Sequence, residues 1–273
     1  MKNSNAYYHI LRTVAVLQIL SLAACKEEAF SPMQTREFSI PSVLTGATYN
    51  IKVGLPSHFD ASTGGYAAIY VLDGEENFAL VANQCQEISN ARETQNVLVV
   101  SIGYGRDRNM DYTPTATGMG TTGGAPEFLN FIKNELIPKM EQDFGAATTR
   151  ESRTVLGHSF GGLFATYAFA HDNDLFGNYI MLSPSIWYDN EVVLKYESQN
   201  RAVNKDQRQL VYLGQGEMEN AGRMQAPFEA FYEIIGKNYS DVRLTKNLEK
   251  QLDHVGSKNP NIRKGLNFYF QNR

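Results

Sequence analysis

The chain has 273 residues, a formal net charge of −4 and 42% apolar residues, with 15 Tyr and 15 Phe among them. That length suits one large domain with a full core, or two small ones. The charge argues against a nucleic-acid partner, which would need a basic face. No charge run, internal repeat or low-complexity tract appears.

In chain order, the first segment stands apart. Lys2 and Arg12 give a positive start, and Val14 to Ala24 is apolar but too short to span a membrane. It ends in Leu22-Ala23-Ala24-Cys25, which resembles the bacterial lipoprotein signal, in which the cysteine is lipidated and becomes the first residue of the mature chain. An ordinary signal peptide with a chance cysteine is the alternative. The expected organisation is a signal peptide over 1–24, a tether over 25–34 and one folded domain over 35–273. The protein is then exported and held to the bacterial envelope through lipid on Cys25, on the periplasmic or the outer face. Lys26-Glu27-Glu28 resembles an export tag of surface lipoproteins. Cys85, the other cysteine, falls at an apolar position of a predicted helix and reads as core. No Cys/His cluster has zinc-ligand spacing, so no metal is expected.

Glu37 to Ile40 and Thr48 to Leu55 alternate apolar with polar residues, which predicts an antiparallel edge pair. Tyr66 to Leu72 is a continuous apolar run, as a buried central strand would be, and Asn77 to Arg92 has helical spacing. Val97 to Ile102 is the next buried strand. A long polar loop, residues 103–124, follows it. Pro126 opens a helix striped by Phe128, Phe131, Ile132, Leu136, Ile137 and Met140. Beyond residue 150 the pattern gives strands at 153–156, 179–182, 209–213 and 242–248. They alternate with helices at 161–170, 191–199, 224–235 and 258–270. Alternation of this kind predicts an α/β fold: a mostly parallel, doubly wound sheet with antiparallel N-terminal strands and its site at the carboxyl ends of the strands.

The stretch Gly157-His158-Ser159-Phe160-Gly161 lies between a predicted strand and a predicted helix and fits the G-x-S-x-G nucleophile elbow. A strand that turns abruptly into a helix holds one serine on a strained corner. Glycines two before and two after let the backbone close. The helix start behind the serine offers free N–H groups where an oxyanion develops.

A serine nucleophile needs a base and the base an orienting carboxylate, in the chain order serine, acid, histidine for this layout. Five histidines exist. His9 is in the leader, His58 precedes the serine in a turn, His158 is inside the elbow, and His171 ends the helix behind it. His254, in the polar loop after the last strand, remains. The acid is expected after strand 209–213, where Glu219 is favoured over Glu217. Asp253, Asp189 and a Ser–His dyad stay open. One oxyanion donor is expected at the Phe160 amide and the other at the Glu75 amide, with Gly74 as the alternative.

These residues resemble the esterase-D-like branch of the α/β-hydrolases, and within it the siderophore-esterase-like subgroup. The resemblance rests on Tyr70-Val71-Leu72-Asp73-Gly74, Arg108-Asn109-Met110-Asp111-Tyr112-Thr113-Pro114, the elbow, Ser183-Pro184-Ser185-Ile186-Trp187, the Gly216–Glu219 turn and His254. It implies that the loop with Arg106, Arg108 and Asp111 borders the site, with Arg108 meeting substrate, and that Trp187 walls the pocket. The expected double aromatic after Ile186 is here Trp187-Tyr188.

The expected protein is a serine esterase that needs no cofactor, acting through an acyl-enzyme on a small-molecule ester. Siderophore lactones, feruloyl or acetyl sugar esters and small aliphatic esters all fit. Thioester cleavage or acyl transfer on the same triad is one alternative, and a siderophore- or glycan-binding surface lipoprotein without turnover is another.

Overall fold

The computed structural model describes residues 34–92, 97–118 and 120–273. The predicted signal peptide, Cys25 and all of the predicted tether except Gln34 lie outside the described residues.

Strand β1 (Thr35–Pro41) pairs antiparallel with β2 (Thr48–Gly54), placing Phe38 opposite Ile51. Along β2 the side chains alternate, with Tyr49, Ile51 and Val53 buried and their neighbours largely in solvent. Period-two patterning of this kind builds a sheet with one face on the core. Strand β3 (Ala68–Val71) and β4 (Leu98–Ile102) are buried throughout, as strands covered on both faces are. Then follow β5 (Arg153–His158), β6 (Asn178–Leu182), β7 (Gln209–Gly216) and β8 (Val242–Glu249). The eight strands lie in the order β1-β2-β4-β3-β5-β6-β7-β8, parallel from β4 onward. This is the mostly parallel, doubly wound α/β sheet that the sequence predicts.

Helices α1 (Gly74–Arg92) and α8 (Lys258–Asn272) pack together, and α5 (Phe160–His171) packs on α6 (Tyr188–Asn204). Cys85 on α1 is fully buried, and burial pushes its thiol far above the ordinary range. The stretch read as a loop over 103–124 contains a short helix, α2 (Arg108–Tyr112), started by the Asp107 side chain accepting from the Asn109 N–H. Asp111, Tyr112 and Thr113 are buried there. Polar composition hid this segment because its core contacts run through aromatic and ion-paired side chains.

The helix begun near Pro126 is α3 (Ala125–Phe131) and α4 (Ile137–Phe144), joined by a π-turn at Ile132–Leu136. Helix α7 (Ala226–Asn238) likewise follows a π-turn, Ala221–Gln225. In each case a proline sits two residues beyond the turn, Pro138 and Pro227. A proline has no N–H to give residue i−4 and its ring crowds that carbonyl. The backbone instead makes an i→i−5 bond just before it, Ile137 N–H to Ile132 O and Ala226 N–H to Ala221 O. The second π-turn carries pocket residues.

Among the described residues no helix is long and apolar enough to cross a membrane.

Candidate active site

Ser159 sits between β5 and α5 with φ 59° and ψ −118°, a backbone state that non-glycine residues rarely hold. Its corner is fixed on three sides. The Ser159 N–H donates to Leu182 O, and its carbonyl accepts from Leu163 N–H and Ser185 N–H. A Cβ on Gly157 would stand 2.3 Å from Gly161 O, so the elbow closes only with glycine there. Phe160 is the first residue of α5 and Gly74 and Glu75 are the first two of α1. First-turn amides have no partner inside their helix.

Glu219 is buried on the turn after β7 and His254 lies in the loop after β8. His254 Nδ1 is 2.8 Å from Glu219 Oε2, with side chains 36% and 1% exposed. The other carboxylate oxygen accepts from Ser183 Oγ at 2.6 Å and from the Gly216 N–H at 2.9 Å. Glu219 in turn gives its own N–H to Gly216 O, closing a reciprocal ring. Burial pushes the Glu219 carboxyl up, but hydrogen bonds from His254, Ser183 and Gly216 outweigh it and hold the group below its ordinary value. Ser159, Glu219 and His254 line one cavity of about 400 Å³ with Phe160, Trp187 and Arg223. Glu217 is exposed and accepts from the Gln251 N–H instead. Asp189 accepts from the Thr115 hydroxyl, and Asp253, one of the residues lining the cavity, accepts through its carboxylate from the Gly256 N–H.

Two contributors were not assigned from sequence. Ser183, at φ 40°, holds the acid. His158, set aside as a base because it sits inside the elbow, places Nε2 2.8 Å from the main-chain carbonyl of His254, with the two rings 4.6 Å apart. Burial, followed by the nearby His254, pushes His158 from 6.5 down to about 4. The ring is therefore neutral at pH 7, and its Nε2–H donates to His254 O. No spacing rule joins residue 158 to residue 254; only the fold brings the last loop back over the elbow.

Arg108, expected to meet substrate, is already engaged. Its Nε and Nη2 grip the buried Asp73 carboxylate at 2.5 and 2.8 Å, and Nη2 also reaches His158 O at 3.2 Å. Arg106 is likewise bound to Asp111 at 2.6 Å. Neither arginine lines the cavity around Ser159, because each fork is spent on a buried acid. The Glu75 side chain lies in a separate cavity of about 670 Å³ with Glu37, Lys52 and Phe78. None of Ser159, Glu219 and His254 lines that larger cavity.

Among the described residues no cluster of His, Cys, Asp and Glu has the arrangement of a metal site.

A mostly parallel sheet with a strained serine corner at the carboxyl end of a central strand defines an α/β-hydrolase. Residues 42–257 match the family described as "Putative esterase", and the chain belongs to that family as a carboxylic ester hydrolase. The ferri-bacillibactin esterase BesA of Bacillus subtilis is 30% identical over 212 residues, spanning 69% of this chain and 72% of the relative. The siderophore triacetylfusarinine C esterase of Aspergillus fumigatus is 29% identical over 220 residues, spanning 74% and 75%. The crystal structure of the BES protein from Bacillus cereus superposes with a TM-score of 0.77 at 25% identity, covering 98% of this chain and 99% of that one. These relatives bear out the siderophore-esterase-like resemblance.

Proposed function

We propose that the protein cleaves siderophore esters by serine catalysis through an acyl-enzyme. The observation that carries the chemistry is the pairing of His254 with the buried Glu219 carboxylate, in one cavity with a serine on a strained strand-to-helix corner. The substrate class rests on the relatives, which are named for siderophore ester cleavage.

Ser159 Oγ attacks the ester carbonyl carbon and passes its proton to His254 Nε2. Glu219 keeps the other ring nitrogen protonated and facing it, and stabilises the imidazolium that forms. The carbonyl oxygen, now an oxyanion, takes N–H donors from Phe160 and Glu75. Collapse breaks the ester C–O bond, and His254 returns the proton to the leaving alcohol. Water then attacks the acyl-serine, again giving a proton to His254, and a second collapse frees the acid and restores the Ser159 hydroxyl. Arg108 serves by fixing Asp73 next to the Gly74–Glu75 donors. Trp187 forms a wall of the acyl or alcohol pocket.

The test is acyl release from 4-nitrophenyl esters and a catecholate siderophore lactone, with Ser159→Ala beside the wild type. Loss of Ser159 should cost on the order of 10⁴–10⁶ in turnover. Near-wild-type turnover in that variant, or no labelling of Ser159 by a fluorophosphonate, defeats the reading.

The lipid anchor is part of the same proposal. The tetrapeptide ending at Cys25 supports it, and mass analysis of the membrane fraction, with Cys25→Ser as the control, tests it.

A further inference from the structure

With Arg106 and Arg108 both held by carboxylates, the cavity around Ser159 has one arginine among its lining residues, Arg223. Its guanidinium carbon lies 3.6 Å from the centre of the Trp187 ring, which is face-to-face contact. Among the described residues Arg223 makes no ion pair.

The local chain explains why the side chain stands there. Pro227 forces the π-turn Ala221–Gln225, and the Asn220 side chain caps that turn by accepting from the Arg223 N–H at 2.7 Å. The turn and the Trp187 face together fix a long, otherwise mobile side chain. Stacking consumes the flat face of a guanidinium and leaves its rim of N–H donors open. Such a rim matches two oxygens of one anionic group. The acidic residues lining the cavity, Glu219 and Asp253, both lie next to His254, so a second anion is repelled from that end and accepted at the Arg223 end. Met218, 66% exposed, offers an apolar surface in the same cavity.

We propose that Arg223 stacked on Trp187 is an anion subsite of the ester pocket, selecting esters that carry a carboxylate or an ionised catechol near the scissile bond. The proposal rests on the hydrolase reading above and gives the substrate a charge. Arg223 determines specificity and takes no part in the bond-breaking step.

The experiment compares kcat/KM for two matched pairs, 4-nitrophenyl butyrate against the 4-nitrophenyl half-ester of succinate, and a catecholate lactone without and with ferric iron. The wild type should favour the anionic member. In Arg223→Gln the anionic-to-neutral ratio should fall at least about tenfold, mainly through KM, and Arg223→Lys should recover only part because it restores charge without the fork. Arg243→Gln, which removes a cation from the far end of β8, should keep the wild-type ratio. A fall in one pair alone assigns the subsite to that anion. An unchanged ratio in Arg223→Gln, or an equal fall in Arg243→Gln, overturns the proposal.

Binding is read separately from turnover. Trp187 is the only tryptophan of the chain. Its emission therefore reports occupancy in Ser159→Ala protein, where the half-ester should bind at least about tenfold more weakly once Arg223→Gln is added. Equal binding refutes the subsite even if turnover has failed for catalytic reasons.

Discussion

Replacing Glu219 by glutamine separates positioning of the base from stability of the fold. Glu219 Oε1 accepts from the Gly216 N–H, and a main-chain donor cannot rotate away. The amide oxygen of Glu219→Gln must therefore take that place, with Ser183 beside it. Its NH₂ then faces His254 Nδ1, where the carboxylate oxygen lies at 2.8 Å in the native chain. Two donors cannot share that contact, so His254 is driven to the tautomer with the proton on Nε2. That tautomer cannot accept the Ser159 proton. The expected loss is about 10³–10⁴ in kcat, or about 4–5.5 kcal/mol of transition-state stabilisation. Two of the three hydrogen bonds survive unchanged and the third is remade with its direction reversed, so folding stability should drop by only about 1–2 kcal/mol. Stopped-flow or steady-state ester hydrolysis gives the first number and urea unfolding the second. A kcat within tenfold of wild type would refute the argument that Gly216 dictates which way the side chain faces.

His158 makes stability depend on acid. Between pH 6.5 and 4 the unfolded chain binds a proton on this ring and the folded chain does not, so stability falls as pH drops through that window, by at most about 3 kcal/mol. His158→Gln keeps an N–H for His254 O without titrating, and should flatten that part of the pH–stability curve; an unchanged slope would count against burial as the cause. Asp73→Ala leaves the Arg108 charge without its partner and should cost about 3–5 kcal/mol in urea unfolding. A loss under 1 kcal/mol would mean that the pair is effectively solvated. Gly162→Ala places a Cβ 2.8 Å from Leu182 O and 2.9 Å from Pro184 Cα, so it should destabilise by about 1–3 kcal/mol, which thermal melts read; no loss would mean that the β6 end yields freely.

Much of the fold was legible because its signals are local. The apolar runs at Ala68–Val71 and Leu98–Ile102 have no other home than a sheet covered on both faces, and the alternation at Thr48–Gly54 marks an edge pair. The order serine, acid, histidine was readable for the same reason, since each residue follows its own strand, and the chain does bring Ser159, Glu219 and His254 to one cavity. What stayed hidden depends on contacts between distant segments. Arg108 reads as a free cation until the fold sets Asp73 against it. His158 reads as a mere spacer until the last loop returns across the elbow. Nothing in the sequence singles out Arg223, because its partner is a ring from the segment after β6 and its placement comes from Pro227.

The ring closed between Gly216 and Glu219 has a consequence for how such a site is inherited. The carboxylate spans the turn back to Gly216 with one oxygen while the other reaches His254. An aspartate would fall short by one carbon–carbon bond, about 1.5 Å, and would meet one of these partners but not both. Side-chain length and loop length are thus a single trait here. An exchange of glutamate for aspartate at this position therefore keeps both partners only if the turn or the His254 loop moves closer at the same step, so the one-nucleotide change between the two acids does not by itself carry the site across.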